Sequence, residues 1–264
     1  MRPFAYHRPQ SVPDAVALLA ADQAKPLAGG MTLLPMLKMR LVATPGVVDL
    51  SAIAGLSGID ASGSTLTIGA MTKHDTVSQS DAVRNAIPAL AKLAGGIGDP
   101  QVRNRGTIGG SVANNDPAAD YPAAVLALGA TIVTSKREIA ADDFFKGMFE
   151  TALAPGEVIT ALRFPVPLAA GYAKLPNPAS RYAIVGVFVA KLSAGVRVAV
   201  TGAGPCAFRA GPIEAALAKD FSGAAIGAIK IDPAPLTSDI HADAEYRAHL
   251  ITVMAQRAVL AAAS

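Results

Sequence analysis

Two short segments join paired glycines to a hydroxyl residue close behind: Ala28-Gly29-Gly30-Met31-Thr32, followed by Leu33, and Thr107-Ile108-Gly109-Gly110-Ser111. Paired glycines have no Cβ to hold a backbone away from a phosphate, and successive N–H groups in such a loop converge on an anion. The first segment also precedes a helical pattern, so the positive end of a helix dipole would add to those donors and suit a diphosphate. Either loop alone reads equally well as a tight turn. Two in one chain favour a shared ligand. A third run, Gly202-Ala203-Gly204-Pro205-Cys206-Ala207, fits GxGxxA after the strand-like GVRVAV. Pro205 and Pro212 bracket it, so the strand-to-helix context of a dinucleotide fingerprint is missing. Neither a Gly-Lys phosphate loop nor a G-x-S-x-G nucleophile elbow occurs.

The remaining reactive side chains exclude several chemistries. Cys206 is the single cysteine, which rules out an internal disulfide and an iron-sulfur cluster held by this chain alone. His7, His74, His241 and His249 show no HExxH spacing, so they read as core or surface histidines and no metal site is expected. The chain has 264 residues, 52% hydrophobic and 16% charged, a composition that excludes disorder and suits one large or two modest domains. Its longest apolar stretches, 125–133 and 183–190, fall short of the roughly 20 residues a membrane span needs. The opening MRPFAYHRPQSVPDAV is positive but lacks an apolar core, which predicts no secretory signal and a cytoplasmic protein. Net charge is +3, its cations are scattered and there is no Trp, so nucleic-acid binding is not expected.

The elements that must carry the loops follow from periodicity. VPDAVALLAAD, starting at Val12, reads as a helix with Val16, Leu19 and Ala20 on one face. A helix is expected from about Leu33 to Leu41, with Thr32 as N-cap and Pro35 in the first turn. VVDLSAIAGLSGI and STLTIGAMT read as short strands, and residues 82–93 as a helix. Residues 95–115 are too rich in Gly, Asn and Arg for one regular element. Asp120 precedes a helical run that stops at Gly129, and ATIVTS follows as a strand. Pro165 and Pro167 mark a boundary. Beyond it YAKL, YAIVGVFVAKL and GVRVAVTGA suggest an antiparallel meander, followed by helices at 212–219 and 245–263.

AGGMTLLPMLKMRL at 28–41, TIGAMTKHD at 67–75 and GDPQVRNRGTIGGSVANNDPAADYP at 98–122 together closely resemble the flavoprotein (medium) subunit of the molybdenum hydroxylases, the xanthine dehydrogenase and aerobic carbon monoxide dehydrogenase family. The opening RPFAYHRPQSVPDAVALL and the closing AEYRAHLITVMAQRAV extend the resemblance nearly end to end. It implies an α+β chain with a vanillyl-alcohol-oxidase/PCMH-type FAD-binding fold: subdomain 1 at 1–55, subdomain 2 at 56–167, and a smaller C-terminal α+β domain at 168–264. It implies that Ala28 to Leu33 and Thr107 to Ser111 grip the FAD diphosphate, that Asp120 lies toward the adenosine and ribose end, and that Ile97 and Lys174 lie at the flavin. By composition alone Asp120 reads as a helix N-cap, Lys174 as a solvated strand lysine. Arg103 and Arg105 resemble a family basic pair, and pairing with Asp99 or Asp116 would order the loop equally well. Arg181 departs from the pattern, standing where many relatives carry an acid.

The resemblance implies an FAD-binding electron-transfer subunit with no catalytic residue acting on substrate. A large partner subunit would hold the molybdenum cofactor and a small one two [2Fe-2S] clusters, in a dimer of heterotrimers. The rival readings are a free-standing flavoenzyme of the same fold and a structural subunit that has lost FAD. Substrate and terminal acceptor are not encoded in these motifs.

Overall fold

A computed structural model describes residues 1–21 and 24–263. The chain begins with β1 (Ala5–His7), α1 (Val12–Ala21), β2 (Lys25–Leu27), α2 (Leu33–Lys38) and β3 (Gly46–Asp49). The three strands form a parallel sheet in the order β1-β3-β2. Parallel neighbours need a crossover, and the two helices supply it. Helix α1 turns Ala15 and Leu19 into the core, leaving Val16 at its edge and Ala20 exposed. Its apolar face is thus rotated from the expected one, and Asp22, read as part of the same stretch, lies outside the described residues. Helix α2 ends at Lys38, three residues early, because Arg40 turns left-handed at φ 60.

The middle region holds β4 (Ile59–Ser62), β5 (Thr65–Gly69), α3 (His74–Gln79), α4 (Asp81–Ala86), α5 (Pro88–Gly95), α6 (Pro100–Arg103), α7 (Ile108–Asn114) and α8 (Tyr121–Ala127). It continues through β6 (Thr131–Thr134), β7 (Glu138–Ala140), α9 (Ala141–Phe144), β8 (Phe145–Gly147), β9 (Glu150–Thr151) and β10 (Ile159–Pro165). A five-stranded antiparallel sheet runs β4-β5-β10-β6-β7, with β10 between β5 and β6. The helices pack around α8, whose residues are all buried. Gly129 stops that run at φ +60, as a C-terminal glycine should. Three expectations change here. The single helix over 82–93 is two, since Pro88 restarts the turn after Ile87. The 95–115 loop contains α6 and α7. VVDLSAIAGLSGI is strand only at its ends, in β3 and at Ile59, which opens β4, and between them it turns through a short 3₁₀ segment, Leu50–Ala52, capped by Asp49.

The C-terminal region is the expected meander, β11 (Ala169–Pro176), β12 (Ala183–Leu192), β13 (Gly195–Thr201) and β14 (Phe208–Arg209), with α10 (Gly211–Leu217) and α11 (Ala244–Ala262). Alternation along β12 serves two cores. Val185, Val187 and Val189 face α10 and α11, whereas Phe188 and Ala190 join the core of the middle region with Tyr172 and Ala199. Gly171 lets α11 lie directly on β11, since a Cβ there would stand 1.9 Å from the Ala258 carbonyl oxygen. After β13 the GxGxxA run bends without a helix, as its prolines require.

Candidate functional site

The two glycine loops meet face to face between the first sheet and α7. A Cβ on Gly29 would lie 2.2 Å from the Arg105 carbonyl oxygen, and one on Gly109 would lie 2.5 Å from the Ala70 Cβ. On Gly30, at φ +76, it would meet the Leu34 side chain, and on Gly110 the Thr107 Oγ1 at 2.8 Å. The missing side chains therefore let the two loops and the end of β5 interlock. Clearing space for a ligand, the role their sequence suggests, is secondary.

Their hydrogen bonding separates the loops further. Around the second, Ile108 N donates to Thr72 O, Gly109 N to Ala70 O and Ser111 N to Thr107 O, while Thr107 Oγ1 caps α7 by accepting from Gly110 N at 3.1 Å. Four of its five N–H donors, all but that of Thr107, are spent on the fold. In the first loop no acceptor among the described residues takes the N–H groups of Gly29, Gly30, Met31, Thr32 or Leu33, and Thr32 makes no side-chain capping bond. Gly29, Gly30, Thr32 and Leu33 are half-buried and Met31 is exposed, so these five consecutive open donors are free to take acceptors from outside the chain. A run of open N–H groups, expected of both loops, occurs in the first alone.

Those donors face a cavity of about 580 Å³, within the range of small-molecule and cofactor sites. Residues Ala28 to Leu33, Ile97, Thr107, Gly109, Gly110, Ser111 and Asp120 line it. Ile108 does not, its side chain being fully buried in the middle core. Lys174 does not line it either. It forms an ion pair with Asp120 at 2.9 Å and donates to Gly96 O at 3.0 Å and Arg181 O at 2.8 Å. The Tyr172 hydroxyl donates to Asp120 Oδ1, the same oxygen that Lys174 approaches at 2.9 Å, while Lys174 reaches Oδ2 at 3.1 Å. Asp120 and Lys174, expected toward different ends of the cofactor, are therefore joined in one ion pair, with Asp120 on the cavity wall and Lys174 behind it. Asp120 makes no capping bond to α8, so its N-cap reading also gives way. Burial pushes the Asp120 carboxyl above the ordinary range, while Lys174 and Tyr172 pull against that shift. Arg103 orders the loop through the Ile97 and Gly98 carbonyls, at 3.1 and 2.9 Å, and pairs with no carboxylate among the described residues. Asp99 is engaged as the cap of α6, and Asp116 accepts from Ala118 N.

Sequence reasoning took His74 for a core or surface histidine and Arg181 for a departure from the family pattern, and assigned neither to the site, yet both line the cavity. His74 opens α3, 5% exposed, with its ring 5.3 Å from that of Tyr121. Burial, helped by the charge of Arg103, lowers its pKa to about 4, so its imidazole is neutral at physiological pH. The TKHD stretch gave the only local signal, a short polar helix start after a strand. No group of three His, Cys, Asp or Glu side chains is arranged for a metal among the described residues.

A parallel three-stranded unit and an antiparallel five-stranded unit thus meet at a cavity lined by a loop of open N–H donors. Residues 2–167 match the model of the FAD binding domain in molybdopterin dehydrogenase. The chain belongs to this family. It is 39% identical to the carbon monoxide dehydrogenase medium chain of Hydrogenophaga pseudoflava, over 98% of this chain and 96% of that one. The nicotine 6-hydroxylase medium subunit of Paenarthrobacter nicotinovorans is 34% identical over 97% and 96%. The solved structure of reconstituted CO dehydrogenase from Oligotropha carboxidovorans superposes with a TM-score of 0.91 at 36% identity, covering 99% of this chain and 98% of that one. These relatives are oxidoreductase components, and FAD is the cofactor of the fold they share with this chain.

Proposed function

We propose that this chain is the FAD-binding electron-transfer subunit of a cytoplasmic, multi-subunit molybdenum hydroxylase. The observation that carries the reading is the run of open N–H donors at Gly29 to Leu33, facing the cavity of a chain from the FAD-binding family. The residues fit the group. The open donors suit the diphosphate, with the Thr32 and Ser111 hydroxyls beside them, and the apolar side chains of Ile97, Val102 and Val158 suit a planar ring. FAD supplies the ability to take electrons one at a time and release them singly or in pairs.

The chain's own part is to bind and hold. Thr107 and the interlocked glycines fix the second loop as a rigid wall. The Asp120, Lys174 and Tyr172 arrangement ties β11 to the segment carrying Gly96 and Ile97, so the ring end keeps one geometry. No described side chain in the cavity is needed as an acid or base on a substrate. Electrons would arrive from [2Fe-2S] clusters in a small partner subunit, after oxidation of substrate at the molybdenum cofactor of a large one. The assembly would be a dimer of heterotrimers. The medium-chain names of the relatives support such an arrangement, and no helix among the described residues is long and apolar enough to cross a membrane.

The test is an absorption spectrum of the purified chain, alone and co-expressed with its partners, with acid release and chromatography of any flavin. Stoichiometric FAD, reducible by dyes but by small substrates only when the partners are present, is expected. Direct reduction of the isolated chain by a small substrate would replace this reading with a free-standing flavoenzyme. No flavin even in the complex would leave a structural subunit.

A further inference from the structure

We propose that Arg103 and Arg181 form a two-guanidinium site at the mouth of the cavity that selects an anionic electron acceptor. The proposal rests on the flavoprotein reading above and specifies what that protein hands its electrons to. Arg103 Nη1 donates to Gly98 O at 2.9 Å, and Arg181 Nη1 donates to the same oxygen at 3.2 Å. The two donor atoms are therefore no more than about 6 Å apart. One carbonyl dipole cannot neutralise two full charges, and a guanidinium ordinarily takes a carboxylate or phosphate in a forked pair. Neither arginine has an ion-pair partner among the described residues.

Nearby carboxylates are already engaged. Asp99 caps α6 through Val102 N at 2.7 Å, Asp116 accepts from Ala118 N at 2.9 Å, and Asp120 holds Lys174 and Tyr172. Arg181 is also fixed in place. Its backbone is left-handed at φ 63, a costly conformation for a long side chain, and it is clamped by Arg181 N to Asn177 O at 2.8 Å and by Lys174 Nζ on Arg181 O. The side chain is exposed yet lines the cavity, with the half-exposed Tyr182 ring next along the chain.

Unpaired positive charge, with Arg181 lining the cavity and Arg103 beside it on the same carbonyl, concentrates anions there and steers their approach. The acceptor class it favours carries phosphate, carboxylate or comparable anionic groups, and a neutral quinone gains nothing from it. No bond to the protein forms. A one-electron acceptor leaves with one more negative charge, so two are consumed for each two-electron-reduced protein, and two protons pass to solvent.

The experiment uses the flavin-loaded chain, reduced anaerobically with dithionite and mixed with ferricyanide or with neutral 1,4-benzoquinone at low ionic strength. The flavin absorbance reports the rate. From a trianion a few ångströms from one cation, partly screened, Arg181→Gln should slow ferricyanide roughly five-fold and Arg181→Glu more. With rates taken per bound flavin, the ratio of the ferricyanide rate to the benzoquinone rate should fall by about that factor, while the salt dependence with ferricyanide flattens. Equal effects on both acceptors, or none on either, would overturn the site. Loss of flavin in Arg181→Gln would overturn it too, because the pair would then hold the cofactor's own diphosphate. A parent chain without flavin would remove the flavoprotein reading and this proposal together, a result distinct from the others.

Discussion

Replacing Gly29 by alanine tests whether loop interlocking, and not open space, explains the paired glycines. The new Cβ would start 2.2 Å from Arg105 O, 2.8 Å from Arg105 C and 2.8 Å from Gly106 Cα. Relief needs a shift of about 1 Å in backbone that is itself pinned. Gly106 N donates to Val102 O at 2.7 Å, and Gly106 O accepts from His74 N at 3.0 Å. Overpacking costs roughly 1–3 kcal/mol, and weakening one or two such hydrogen bonds adds about 1 kcal/mol each. A total near 3–4 kcal/mol lowers the melting temperature by roughly 10 °C for a chain of this size. Gly30→Ala is the control, because its obstacle is the movable end of Leu34 and its left-handed φ costs about 1–2 kcal/mol. Thermal unfolding and flavin per chain should rank parent, Gly30→Ala, Gly29→Ala. A Gly29→Ala protein that melts with the parent and keeps full flavin would refute the interlocking argument.

Two further perturbations probe the buried charges. Lys174→Met leaves the Asp120 carboxylate buried with only Tyr172 as partner, so it should cost roughly 3–5 kcal/mol at neutral pH. The carboxyl, already raised by burial, then binds a proton more readily in the folded than in the unfolded chain. The deficit should shrink as pH falls toward 5, and a melting curve equally depressed at both pH values would count against the pair. His74 works in the opposite sense. With its pKa lowered from 6.5 to about 4, the unfolded chain binds the extra proton between those values. The parent should therefore lose about 3 kcal/mol as pH drops through that window, relative to His74→Gln, measured by urea unfolding. A parent and variant with parallel pH profiles would mean that the imidazole is not buried neutral.

The glycine loops and the C-terminal meander were legible in the sequence because each signal is local, whereas Ile97 came only from the family resemblance. Gly-Gly pairs, alternating valines and a proline break are read within a few residues. The helix of Ile108 to Asn114 was hidden for the same reason, since Gly109 and Gly110 lower helix propensity and only the Thr107 cap and contacts to Ala70 and Thr72 secure it. Asp120 and Lys174 lie 54 residues apart, and no periodicity relates them. The partner of Gly29 is a carbonyl 76 residues on, so the sequence shows that glycine is present but not what it must clear. The distinction between spent and open N–H groups in two similar loops likewise depends on where β5 and α3 fall.

Tyr172 and Phe188 belong to the C-terminal sheet, yet they fill the core of the region that surrounds the cavity, and Tyr172 also bonds to Asp120 on its wall. The family match stops at residue 167, but the apolar interior does not. Cutting the chain there would strip a wall from the cofactor-bearing half and leave β12 with an open apolar face. Heat should act on both halves at once: release of bound flavin and melting of the C-terminal sheet form a single cooperative transition, and the cofactor's fluorescence becomes a reporter for a segment that need never touch it.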